Sequence, residues 1–176
     1  MMISPSSPQA RQALQLAIAI EENNACWFHN CAIRFMTYDG ELSLLLEELA
    51  SEERAHKEEL LDLYERNFAS ELAVDVATPM ELQDYCRGLD AIREHFFVID
   101  ALMAQTLLEL ALGIERYTHR FYSDLTARTS NPEARVIFSR LSLFEEEHEQ
   151  LFEARIEMEM LKQIDKGTQN QYSLTH

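Results

Sequence analysis

Glu53-Arg54-Ala55-His56 and Glu145-Glu146-Glu147-His148 decide the fold of this chain. Each stretch sets a carboxylate and an imidazole three residues apart, and on an α-helix residues at i and i+3 share a face. Each pair therefore offers both groups to one side of a helix. The neighbours say which side. Around the first pair run Leu42, Leu46, Leu49, then Leu60 and Leu63; around the second run Ala134, Phe138, Leu141, then Phe152. Steps of three and four mark a helix face that packs against other helices. Glu and His thus fill slots where Leu or Phe belongs. A buried carboxylate costs on the order of several kcal/mol unless it is paired or bound to metal. The same breach in two places predicts a bound cation.

Working outward, Ser7-Pro8 reads as an N-cap with Pro at the first helical position, opening a helix over roughly 9–37. Its inward face is Leu14, Ala17, Glu21, Asn24, Phe28, Cys31 and Phe35. Residues 1–7 read as a loose arm. Asp39-Gly40 is a turn with Asp39 as cap, and the second helix covers roughly 41–69. Residues 70–78 lose the period and read as an extended crossover. Thr78-Pro79-Met80-Glu81 is a capping box that opens a short extra helix, broken near Arg87-Gly88. The third helix, roughly 100–128, carries Leu108, Ala111, Leu112, Glu115, Thr118, Tyr122 and Leu125; its start is open, because 89–104 is also helix-compatible. Asn131-Pro132 opens a fourth helix over roughly 132–162, and 167–176 reads as a frayed polar tail.

The whole chain, 1–176, thus reads as one all-α domain, and 47% hydrophobic residues suffice for a full core. Four Gly and four Pro leave long stretches free of helix breakers. A net charge of −16 argues against nucleic acid as a partner, since phosphates would be repelled. The N-terminus shows no basic and apolar leader pattern, and no apolar run is long enough to span a membrane. Cys26, Cys31 and Cys86 form no CxxC pair, which removes a thiolate metal module; an odd, low count fits a reducing compartment, and the expected location is cytoplasmic.

The chain repeats itself. The first and third helices match at an offset of 94, pairing Leu14 with Leu108, Ala17 with Ala111, Glu21 with Glu115 and Phe28 with Tyr122. The second and fourth match at an offset of 92 through Glu53/Glu145 and His56/His148. Each copy is a helix hairpin offering Glu from its first helix and Glu-x-x-His from its second. One Glu from each of two helices, with Glu-x-x-His from each of the other two, is the ligand pattern of a carboxylate-bridged dimetal site in a four-helix bundle. Four glutamates in an apolar core raise one another's pKa, and two dications cancel that charge. Carboxylate with imidazole suits iron or manganese. At ~1.5 Å rise per residue, the four glutamates stand at a similar depth in their helices.

With these motifs, residues 9–163 resemble the ferritin-like superfamily, and within it the rubrerythrin-like di-iron proteins. The Glu-to-aromatic-pair spacing, ending in Trp27-Phe28 and Phe121-Tyr122, and both Glu-x-x-His motifs carry the resemblance. It implies a ferritin-like four-helix bundle with a long crossover between its second and third helices. It also implies two iron ions held by Glu21, Glu53, His56, Glu115, Glu145 and His148, and redox chemistry on hydrogen peroxide or dioxygen. Three departures stand out. Rubrerythrins usually carry a rubredoxin module with two CxxC pairs; without it, electrons are expected from a separate, rubredoxin-type donor. They also carry a second Glu, tied to peroxidase activity, where this chain has Thr118, which leaves a six-ligand set like that of bacterioferritin. The 62 positions from Glu53 to Glu115 exceed the expected span, so the short helix near 79–87 reads as an insertion.

Glu52, Glu146 and Glu147 adjoin the proposed ligands, but Glu53 and Glu145 fit the apolar period. His119, one turn beyond Glu115, reads as an extra ligand, a neighbour of the ligands, or a half-buried histidine bonded elsewhere. Tyr122 reads as a hydrogen-bond donor to a ligand carboxylate, a redox-active tyrosine or core packing, and Asn24 as a neighbour of the ligands or as core. His29 and His95 read as structural, and Cys26 and Cys31 as small buried hydrophobes. The leading expectation is a di-iron oxidoreductase, with an iron-storage cage and a metal-stabilised interaction module as alternatives. Long apolar helices with an exposed flank add the expectation of a homodimer.

Overall fold

Two antiparallel helix hairpins pack side by side, as the repeat predicts. The computed structural model describes residues 2–4, 7–68 and 96–173, the side chains of 165–173 excepted. Helices α1 (Pro8–Phe35) and α2 (Gly40–Asn67) form the first hairpin; α3 (Ala101–Arg128) and α4 (Pro132–Ser173) form the second. No strand occurs among the described residues, so the chain has the expected all-α, ferritin-like four-helix architecture. The extended crossover, the capping box at Thr78–Glu81, the short helix at 79–87 and the Arg87-Gly88 break lie outside the described residues.

Local chemistry sets the helix starts. The Ser7 hydroxyl accepts from the Ala10 amide at 3.1 Å, with Pro8 at the first position. Asp39 accepts from Leu42 N at 3.0 Å, and Asn131 Oδ1 accepts from Glu133 N and Ala134 N at 3.0 and 3.3 Å. Asp100 resolves the open start of the third helix by accepting from Met103 N at 2.8 Å. Each such cap is worth ~1 kcal/mol.

Two expectations at the chain ends are corrected. The N-terminal arm is pinned: Ile3 forms a parallel bridge with Thr129, donating to Arg128 O at 2.7 Å and accepting from Ser130 N at 3.1 Å. The partner lies more than a hundred residues away, so no local pattern announces it. At the other end α4 continues through Gly167 to Ser173, where a frayed tail was expected. A single helical Gly costs ~1 kcal/mol relative to Ala, and no Pro follows it to end the helix.

Every apolar position read on the four inward faces is buried. The core nevertheless divides in two. One cluster joins Ile20, Phe28, Phe35, Leu42, Leu46, Leu107, Ile114 and Phe152; the other joins Leu14, Ile18, Leu60, Leu63, Tyr122, Leu125, Phe138 and Leu141. Between them lies a belt of buried polar groups at mid-height. Its glutamates stand thirteen residues beyond Pro8, Gly40 and Pro132, and fourteen beyond Ala101. The two apolar clusters seal the belt from both ends of the bundle.

Candidate metal centre

Glu21, Glu53, Glu115 and Glu145 are each 0% exposed, with His56 at 8% and His148 at 6%. Glu21 comes from α1, Glu115 from α3, and one Glu-x-x-His pair from each of α2 and α4. Ligand atoms of Glu21, Glu53, His56 and Glu145 lie within 4.8 Å of one another, as do those of Glu53, Glu115, Glu145 and His148. Glu53 and Glu145 belong to both sets. The overlap is compatible with two adjacent cation positions that would share two carboxylates, each completed by one further Glu and one His.

Both imidazoles turn Nδ1 inward. His56 Nδ1 stands 3.5 Å from Glu53 Oε2 and 3.9 Å from Glu21 Oε2; His148 Nδ1 stands 3.6 Å from Glu53 Oε1 and 3.5 Å from Glu115 Oε1. Seven of the eight carboxylate oxygens and both Nδ1 atoms are buried without a hydrogen-bond partner. Buried polar atoms are nearly always satisfied, and each orphan costs about 1–3 kcal/mol or more. Nine of them in one belt fit a site built for cations, and both the donor types and their number suit two ions of iron or manganese.

Electrostatics agree. Burial holds all four carboxyls well above the usual carboxylate range. The neighbouring glutamates add to this, Glu53 acting on Glu21, Glu145 on Glu53, and Glu115 on Glu145. Burial also lowers the His56 pKa, which favours the neutral, ligating imidazole. Raised carboxyl pKa values favour the protonated form, and a bound cation would favour the ionised one.

The remaining candidates are placed as follows. Tyr122, fully buried, donates its phenolic hydrogen to Glu21 Oε1, the eighth oxygen. Asn24 and Thr118, one turn beyond Glu21 and Glu115, meet across the α1–α3 contact; Asn24 Nδ2 donates to Thr118 Oγ1 at 3.2 Å, and Thr118 donates to Ile114 O. His119 stands off the belt, its Nδ1 2.6 Å from Glu149 Oε1 and its side chain partly exposed. Glu146 and Glu147 are exposed. His29 pairs with Glu47 at the surface, and His95 and Cys86 lie outside the described residues. Cys31 is buried as expected, but Cys26 is exposed: it falls one position before Trp27, off the packed face.

The sequence pattern weighs Glu52 only as an alternative to Glu53 and does not single out Phe144. Each immediately precedes the Glu of one motif and reaches the histidine of the other. Glu52 Oε2 lies 3.1 Å from His148 Nε2, and the Phe144 ring stacks on His56 at 5.2 Å and 20°. Their shared offset of 92 was the available signal.

The sequence model of the rubrerythrin family matches residues 12–156, which contain the whole belt. The chain belongs to the rubrerythrin family. Among solved structures, a hypothetical protein from Pyrococcus furiosus superposes with a TM-score of 0.63 at 19% identity, covering 85% of this chain and 89% of its own; at that identity it shows the shared fold. No curated protein matches the sequence significantly. Among the described residues, no helix of this rubrerythrin-family chain is long and apolar enough to cross a membrane.

Proposed function

We propose that this protein is a non-haem di-iron oxidoreductase that reduces hydrogen peroxide or dioxygen, with Glu21, Glu53, His56, Glu115, Glu145 and His148 as ligands. The observation that carries the proposal is the sealed belt of nine unpartnered ligand atoms. Two iron ions cycling between ferrous and ferric states supply, when bound, the two electrons that cleavage of an O–O bond consumes. Manganese fits the same donors.

The chain's own residues do the rest. Glu53 and Glu145, common to both groups of ligand atoms, would hold two ions in one belt, where both would serve one small oxidant. Carboxylates tolerate a change of ion charge because they shift between one-oxygen and two-oxygen binding. The flanking apolar clusters exclude bulk water, which strengthens every interaction inside the belt. Tyr122 holds a proton at Glu21 Oε1, within the belt where oxide products need protons. Asn24 and Thr118 line the adjoining turn in place of a further carboxylate. The reading includes a homodimer, which size-exclusion chromatography tests.

Anaerobic reconstitution with Fe(II), followed by elemental analysis and peroxide addition, tests the function. Two irons per chain and a near-ultraviolet oxo-bridged diferric band are expected. Fewer than one iron per chain overturns the proposal.

A further inference from the structure

Building on that reading of the belt, we infer that the two cation positions are unequal, and that the position bounded by Glu53, Glu115, Glu145 and His148 fills first because Glu52 fixes His148 for ligation. The internal repeat makes the comparison fair, since each feature of one position has a counterpart in the other.

The histidines differ first. Both turn Nδ1 toward the carboxylates. For His148 the outward Nε2 faces the Glu52 carboxylate at 3.1 Å. That acceptor places the proton on Nε2 and leaves the Nδ1 lone pair facing the belt, which is the tautomer a ligand needs. It also holds the ring plane and makes the imidazole a better donor. For His56 the equivalent position is Phe144, whose ring packs flat against the imidazole and offers no acceptor. Glu52 is a positioning residue here: it acts through His148 and its own side chain is more than half exposed.

The glutamates differ in the same sense. Tyr122 engages Glu21 Oε1. The counterpart of Tyr122 is Phe28, which stacks on Phe152 at 5.8 Å and has no hydroxyl to offer Glu115. Glu115 therefore keeps both oxygens for a cation, and Glu21 keeps one. Glu53 and Glu145 are common to both positions, so they do not offset the difference.

Titration of the metal-free protein with Co(II), followed by calorimetry and by the visible d–d absorption of the bound ion, tests the inference. Two steps are expected, at least tenfold apart in affinity. Crystals carrying one equivalent should place the anomalous density beside His148. Glu52→Ala should weaken the first step by roughly 10–100-fold and leave the second within threefold, while Glu52→Gln, which keeps an acceptor oxygen, recovers most of the loss. Tyr122→Phe should tighten the second step alone. Two bound ions in one step of equal affinity, or a Glu52→Ala variant with an unchanged first step, overturns the inference while leaving the dimetal site standing. No Co(II) binding at all overturns both.

Discussion

Asn24 of α1 and Thr118 of α3 occupy equivalent positions of the two hairpins and hydrogen-bond to each other at 3.2 Å, each almost fully buried. The pair is a polar bolt between the two glutamate helices. Thr118→Val keeps the shape and removes the acceptor, leaving the Asn24 amide unpaired in the core. The variant should lose about 1–3 kcal/mol of stability, read from urea denaturation of the metal-free protein.

Glu53 belongs to both groups of buried ligand atoms, and it sits in a slot where the pattern of α2 asks for Leu. Glu53→Leu should therefore move stability in opposite directions in the two states. Without metal the variant should gain roughly 1–4 kcal/mol, as when buried charge is replaced by packed hydrocarbon. With metal it should bind less than one ion per chain. Chemical denaturation with and without chelator gives the first value, and elemental analysis the second.

Metal binding itself should raise stability by mass action. Free Fe(II) or Mn(II) at 1,000 times its dissociation constant contributes about 4 kcal/mol. For a chain of this size that is a rise on the order of 10 °C in the unfolding midpoint, reversed by chelator. A midpoint unmoved by either cation would contradict the proposed site.

The metal-free protein should lose stability as pH rises from 5 to 8. The four belt carboxyls have native pKa values well above their ordinary value of 4.5, owing first to burial. Between that value and their raised ones the native state binds more protons than the unfolded chain, so stability falls with rising pH. Their contribution is complete below the unfolded value and declines through the window above it. His56 works the other way, because its native pKa is lowered from 6.5, but it is one group against four. Urea midpoints across this range check the sign, and saturating metal should flatten the profile.

Residues that announce themselves locally were readable from the chain alone. Leu42, Leu46, Leu49 and their kin fixed which faces turn inward, and the breaches at Glu53, His56, Glu145 and His148 fixed the belt. Ser7, Asp39 and Asn131 declared their helix starts by side-chain chemistry within a single turn. What stayed hidden depends on register between distant segments. Ile3 finds its bridge partner at Thr129, and Glu52 finds His148 only once α2 and α4 are set beside each other. Asp100 was obscured because the residues before it are helix-compatible too. The exposure of Cys26 turns on a single step of rotation, since its neighbour Trp27 is buried.

Joining the two hairpins in one polypeptide has a cost and a freedom. Identical hairpins meeting around a dyad would be bound to treat both ions alike, whatever their sequence. A continuous chain is released from that symmetry, and substitutions as small as one hydroxyl at Tyr122 or one carboxylate at Glu52 suffice to give the twin seats separate characters.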